Sequence, residues 1–381
     1  MLHKLAWYQL ISEKRRLVAA LAGIAFAVLL QLMQFGFRDA LFTSATTLHS
    51  HLRGELVIVS TQYEYLLATG SVTRRRFQQA QAVPGVAAVA PVYVGGAAFK
   101  NIETLDDRRI LIVAFDPDDD VIDEPTVVAG LDRIRIPDVV LFDERGRLDF
   151  GPVAERVRAG GDLKAQLGGR QVTVGGLFTL GVSFAANGHL VMSDATFRTL
   201  TGRPEGTCEL GVVRLAPGTD VASAQAAIEA QLPDDVRVLT QQQFIDVERA
   251  FWDKSSPIGF IFLLGTLIGL LVGAVIVYQI LYTDVSDHLG EYATLKAMGY
   301  SDRHFYYVVL EEALILSVAG FPFGFASALL LYAVARNVTR LPITMTTSRA
   351  LLVFVLTVAM CAVAGMMATR KLRAADPAEV F

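Results

Sequence analysis

The chain has 381 residues, 53% of them hydrophobic and 19% charged, with a mean hydropathy of +0.43, a balance that excludes an ordinary soluble domain and marks a membrane protein. A formal net charge of −4 offers nucleic acid no electrostatic attraction, so none is expected as a partner. Two cysteines, Cys208 in a polar stretch and Cys361 in an apolar one, fall in different phases and exclude a disulfide framework.

In chain order, residues 1–16 read as a cytoplasmic N-terminus carrying Lys4, Lys14, Arg15 and Arg16. The run 17–37 has no ionisable residue and is long enough for about 30 Å of hydrocarbon. It exceeds a signal-peptide core and lacks a clear A-x-A site, so it is expected to remain as an anchor. Phe37, Leu41, Ala45, Leu48 and Leu52 continue an apolar stripe at helical spacing as far as Gly54, so 17–54 is expected to be transmembrane helix 1 and a stalk. His49 and His51 invite a metal reading, but no cysteine or carboxylate beside them supports it, and a solvated stalk surface is the expectation.

Residues 55–239 read as a periplasmic α+β domain. Strand-like 55–61, a basic helix at 73–82, a Pro84-Gly85 turn and strand-like 86–94 are echoed by strand, helix and strand at 210–215, 220–232 and 236–239. This predicts a split βαβ subdomain built from both ends of the segment, with a second small subdomain inserted at about 117–204. Thr240 to Gln243 fits a capping box. Phe244, Val247 and Phe251 then form a stripe that pairs with Leu41, Leu48 and Leu52 as the second stalk helix, and Pro257 permits a kink. Residues 240–283 thus comprise stalk and transmembrane helix 2.

Segment 284–304 is too short for a domain. Gly290-Glu291 suits a helix start and Gly299 a left-handed stop, giving a two-turn helix that cannot hold itself together in water and therefore needs a docking partner. Its candidate contacts are Glu291, Tyr292, Leu295, Lys296 and Met298, with Gly299 as terminator. Transmembrane helix 3 follows at 305–336, a periplasmic loop at 337–349, transmembrane helix 4 at 350–369 and a cytoplasmic tail at 370–381. Four spans put both termini on one side. The basic residues before the first span and Arg370, Lys371 and Arg373 after the last make that side cytoplasmic, against a weaker opposing signal from Arg336, Arg340 and Arg349.

Small residues recur every four positions at Ala19, Gly23 and Ala27, at Gly265, Gly269 and Gly273, and at Gly320 and Gly324, which suits close helix packing within the chain or a dimer seam. Glu311 and Glu312 are expected on a polar face near the headgroups, paired with Arg303 or Lys296, or else in a coupling role. None of the seven lysines follows a glycine, so there is no GxxxxGK[ST] phosphate loop and ATP hydrolysis requires a separate subunit. There is no HExxH, Ser183 lacks the second glycine of a nucleophile elbow, and the acidic run 116–124 lacks EF-hand spacing and reads as a solvated loop. No catalytic or metal site is expected.

Four spans, a large outside segment between the first two, and the sequence from Glu291 to Tyr300 resemble FtsX/MacB-type ABC permeases. Residues 21–27, 257–262, 275–284 and 370–377 are similar to the DevC subfamily. The resemblance implies a homodimeric permease in the bacterial inner membrane, binding no cofactor itself and joined to an ABC ATPase that carries ATP and Mg. It further implies a periplasmic adaptor (a membrane fusion protein), a TolC-like outer-membrane channel and a porter-like outside domain. The action implied is mechanotransmission, with glycolipid export as the associated substrate class. The alternative is an FtsX-like signalling module controlling a periplasmic cell-wall hydrolase.

Overall fold

Nearly charge-free sequence becomes helix at each of the four stretches long enough to cross a bilayer. A computed structural model of the chain describes residues 14–183, 186–288, 290–291, 294 and 298–369, which divide into two units. Tyr292, Leu295 and Lys296 of the short helix, and Lys4, Arg370, Lys371 and Arg373 of the orientation signal, lie outside the described residues.

The first unit comprises 14–39 of helix α1 (Lys14–His51), helix α8 (Pro257–Asp287) from Ile258 onward, helix α9 (Asp302–Thr339) up to Asn337, and helix α10 (Thr347–Ala368). All four helices have the length and composition of a membrane span. Their shared core places Ala20, Ile24, Ala27, Val28 and Leu32 of α1 with Leu281 of α8, Leu316 and Ala328 of α9, and Val353, Cys361 and Ala364 of α10.

The glycines set the spacing. A methyl group at Gly23 would strike Ile276, and one at Gly273 would strike Ala27 and Met360. Gly265 makes room for Gln34 and Gly269 faces Leu30. Gly320 accommodates Ile24, while a Cβ at Gly324 would lie 2.5 Å from the main-chain oxygen of Ala25. These rows are therefore occupied by packing inside one chain. Ala19 does not join this packing within the chain: it is exposed, and Ala20 takes the buried place. An i, i+4 row drifts about 40° around a helix at each step, so a row that is buried at Ala27 has turned outward by Ala19.

At the other end of α1, Arg349 is 6% exposed, its Nη2 2.5 Å from Asp39 Oδ2 and its Nη1 donating to the Thr344 carbonyl at 2.6 Å. The Tyr332 hydroxyl donates to the Leu32 carbonyl, in space that Gly36 leaves open. An arginine read as a dilution of the orientation signal is thus the centre of a buried clasp.

The second unit, 40–257 with 338–342, is built on one nine-stranded sheet. Its strands are β1 (Leu56–Ser60), β3 (Val86–Lys100), β4 (Asp107–Phe115), β5 (Val139–Asp143), β6 (Leu163–Leu167), β7 (Arg170–Phe178), β8 (His189–Ser193), β10 (Leu210–Leu215) and β11 (Val236–Thr240). Their order is β11-β1-β10-β3-β4-β8-β5-β7-β6. A separate pair, β2 (Val72–Thr73) and β9 (Thr207–Cys208), lies outside it. β1 is buried on both faces, Leu56 and Ile58 entering one core and Val57 and Val59 the other. Helices α2 (Arg74–Gln81) and α6 (Val221–Gln231) bury Phe77, Ala80, Ala224 and Ile228 in the first of these cores.

The inserted segment is not a separate sheet. β3 runs for fifteen residues, pairing β10 through Val92 and β4 from Val92 to Lys100. The insert then adds β8, β5, β7 and β6, and Phe99↔Leu167 returns the circuit to β3. One strand thus belongs to both lobes. Helices α3 (Pro125–Ile134) and α4 (Val153–Gly160) pack against β5 and β7, and α5 (Asp194–Thr201) against β8, β3 and β4.

Helix α7 (Gln241–Ala250) starts with the expected capping box, Thr240 to the Gln243 amide and Gln243 back to the Thr240 amide. It passes into a π-turn at Phe251–Ser255, Ser256 is extended, and Pro257 heads α8. Pro257 is accordingly a helix start and not a kink inside one, as suits a residue without an amide hydrogen at the first helical position.

Gly324→Leu is expected to lower the unfolding free energy of the full chain in detergent by about 1–3 kcal/mol, since the obstacle is backbone. Gly160→Ala, where a Cβ meets nothing within 4 Å, is expected to stay within about 0.5 kcal/mol in the same melts.

Candidate functional site

The carbonyls at the end of an α-helix lack partners, and a chain leaving a helix for a strand must supply them. At the end of α1 the supply comes from α7: Gln241 Nε2 donates to the Leu52 carbonyl at 3.0 Å and the His49 carbonyl at 3.2 Å. Segment 121–123 closes the other side, where the Arg53 amide donates to Val121 and the Asp123 amide to His51, both at 2.7 Å. Arg53 also pairs with Asp120 and Asp123. Of the acidic run, Asp118 pairs with Arg135 and Glu124 caps α3, so much of it is ion-paired or capping and not simply solvated.

Most of the predicted stalk residues meet in this place, Leu41 lying further back on α1. Leu41 and Leu48 are buried on α1 and Leu52 just past its end, Phe244 is fully buried on α7, and Leu48, Leu52 and Phe244 share a core against which Val247 packs. Phe251 stacks on Tyr65 at 4.1 Å between centroids.

Beneath them lies a polar node that the sequence reading did not assemble. Glu248, fully buried, accepts from the Tyr63 hydroxyl, the Leu66 amide and Trp252 Nε1, each at 2.9 Å. His49 Nε2 stands 3.1 Å from the Tyr63 oxygen and 3.3 Å from Glu248, which assigns its proton to Nε2, and its ring lies 4.3 Å from Phe244. His49 is therefore buried, correcting the solvated stalk surface. Burial, followed by the charge of Glu248, holds the Tyr63 phenol well above its ordinary pKa. The available signal was Glu248 itself, a carboxylate inside the apolar stripe formed by Phe244, Val247 and Phe251.

The predicted coupling residues are only partly placed. Glu291 is exposed, Met298 is 64% exposed and its amide donates to the Thr294 carbonyl, and Gly299 has φ +97°, the left-handed conformation of a helix stop. Glu312 is not on a headgroup surface but fully buried among the helices of the first unit. Among the described residues no group of three His, Cys, Asp or Glu side chains is arranged to hold a metal.

Residues 17–231 match the family model of the MacB-like periplasmic core domain, and residues 258–377 that of the FtsX-like permease C-terminal region. A comparison with curated proteins returned no match. Among solved structures, the extracellular domain of the ABC-type transporter YknZ from Gram-positive bacteria is 15% identical, covering 49% of this chain and 99% of that one at a TM-score of 0.33. The periplasmic region of MacB from Actinobacillus actinomycetemcomitans is 8% identical, covering 51% and 91% at 0.35. A domain of a permease protein from Porphyromonas gingivalis is 16% identical, covering 50% and 89% at 0.32.

Glu248→Ala leaves three buried donors without an acceptor and is expected to cost roughly 3–5 kcal/mol, read from denaturant unfolding followed by tryptophan fluorescence. Because the Tyr63 pKa is raised in the folded state, its contribution is intact below about pH 10, where a free phenol ionises, and is lost as pH climbs further. Tyr63→Phe is expected to flatten that alkaline fall in melting temperature relative to the wild type.

Proposed function

The chain belongs to the MacB/FtsX-like ABC permeases, and from that premise we propose that it is the permease subunit of a tripartite exporter that moves a lipid-like or other envelope substrate by mechanotransmission. Permeases of this family work with ABC ATPase partners. Here the ATPase is a separate protein carrying ATP and Mg, and this chain binds no cofactor of its own. The complex sits in the bacterial inner membrane as a homodimer of the permease, with both termini cytoplasmic and the α+β domain in the periplasm. It engages a membrane fusion protein and a TolC-like channel. Within the family the chain is of the DevC type.

The observation that carries this reading is the ending of α1. One uninterrupted helix of 38 residues finishes in a cage of side-chain and main-chain hydrogen bonds from Gln241, Val121 and Asp123, beside a buried carboxylate network. A helix held this way transmits axial and rotational displacement to the strand that follows it, because the alternative is to leave buried polar groups unpaired. The strand that follows is β1, at the centre of its half of the sheet. The motion begins at 284–304, where Glu291, Tyr292, Leu295, Lys296 and Met298 meet the ATPase and Gly299 ends the helix.

Leu295→Asp and Met298→Asp are each expected to abolish co-purification of the ATPase while the permease still inserts in the membrane. Undiminished co-purification from both would overturn the docking assignment. A pull-down from membranes with the wild-type chain is expected to recover an adaptor and an outer-membrane channel. Recovery of a cell-wall hydrolase in their place would mean a signalling module.

A further inference from the structure

Two carboxylates lie together inside the helices of the first unit. Glu312 of α9 is fully buried and Asp284 of α8 is 5% exposed, and their carboxyl groups are within hydrogen-bonding reach of each other. Asp284 Oδ1 accepts from Arg16 Nη1 of α1 at 3.0 Å. Its other oxygen, Oδ2, and both oxygens of Glu312 meet no hydrogen-bond donor among the described residues.

Among the described residues, the charged and titratable groups around the pair come from all four helices. From α1 comes Arg16, which also pairs with Asp287. From α8 come Asp287 and His288, whose Nδ1 donates to the Asp284 carbonyl at 3.0 Å and stands 3.8 Å from Oδ1. From α9 comes Glu311. From α10, Gly365 packs against Ala313 and Leu281, and Cys361 lies in the shared core, against which Tyr278 and Tyr282 of α8 also pack. Arg16, bound to Asp284 and Asp287, does not reach Glu312.

Two anionic carboxylates in contact away from water repel each other and forfeit their hydration, and a buried polar group without a partner loses its solvation with nothing in return. One proton removes both penalties at once, turning an acceptor facing an acceptor into a donor facing an acceptor. A divalent ion does not fit as well, since among the described residues no third His, Cys, Asp or Glu joins the pair to hold one.

We infer that Glu312 and Asp284 form a proton-binding site in the helix bundle: Glu312 is a neutral carboxylic acid whose hydroxyl donates to Asp284 Oδ2, while Asp284 Oδ1 keeps its bond from Arg16. The proton comes from water and returns to it, and no other bond changes. With the proton in place α8 and α9 are joined by a hydrogen bond at this level. Without it the same two atoms push the helices apart, and Arg16, already shared between Asp284 and Asp287, leaves the Glu312 charge uncompensated among the described residues. The site stands on the geometry of these side chains and not on the assignment of the ATPase contact.

The test uses the full chain in lipid nanodiscs at neutral pH, comparing infrared spectra of wild type and Glu312→Gln. The expected result is a protonated-carboxyl C=O band in the wild type that is missing from Glu312→Gln and indifferent to added sodium or calcium. Glu312→Gln, which keeps a donor toward Asp284, is expected to melt no lower than the wild type. A spectrum without that band difference means Glu312 is ionised and overturns the inference. A band that appears only when metal ions are stripped makes this a cation site and overturns it equally. Should Glu312→Gln fail to fold, Asp284→Asn serves: the band is expected to persist with a shifted frequency because its acceptor has changed, and an unshifted band refutes the pairing.

Discussion

Close approach to α1 is the constraint on which the helical unit depends. In lipid, apolar side chains gain nothing by leaving one hydrocarbon surface for another, so association comes from packing and from polar contacts. Here the small residues of α8 and α9 address the same partner, Gly269 and Gly273 meeting α1 around Leu30 and Ala27, Gly320 and Gly324 meeting it around Ile24 and Ala25. With their glycines spent on α1, α8 and α9 turn large side chains outward, among them Phe260, Leu267 and Leu271 on α8 and Phe323 and Leu330 on α9. Any contact with a second copy of the chain along these faces is made by bulky residues and not by a glycine seam.

Polar groups then fix what packing leaves free to slide. The Arg349 clasp ties α1, α9 and α10 near one end, and the Arg16 and Asp284 pair ties α1 to α8 near the other. In the α+β unit the Glu248 node does the same for the last turn of α1, α7 and the loop holding Tyr63 and Leu66. Each is built from one charged side chain with several short-range partners, an arrangement that tolerates little displacement before a buried group is stranded. Rigid connection is what a structure must have if movement at one point is to be felt at another.

Much of this was legible in the sequence for a physical reason. Absence of charge over about 20 residues has few explanations other than a span, and Thr240 with Gln243 specifies a helix start through local hydrogen bonds alone. Gly299 was readable because few other residues tolerate its φ. What escaped depends on contacts distant in the chain. His49 looked solvated because its partners are remote in sequence, Tyr63 standing 14 residues further along the chain and Glu248 another 185 beyond Tyr63. Glu312 looked interfacial because nothing local announces Asp284. The insert looked separate because the register that joins it to the first lobe runs through a single long strand, β3, whose second half the alternation pattern alone did not reach.

The return of the sheet upon itself at Phe99 and Leu167 has a bearing on how the domain avoids sticking to its own kind. A sheet of nine strands ordinarily ends in two rows of unpaired amides and carbonyls, each a template for another chain. In this one β6 is folded back toward β3, and the part of it still uncovered presents Lys164 and Gln166. The opposite margin is β11, only five residues long and carrying Arg237, whose guanidinium donates to the Tyr63 carbonyl at 2.6 Å. Short margins carrying a cation resist strand addition, so a chain this apolar can keep a broad, doubly buried sheet in water without offering its neighbours an edge to extend.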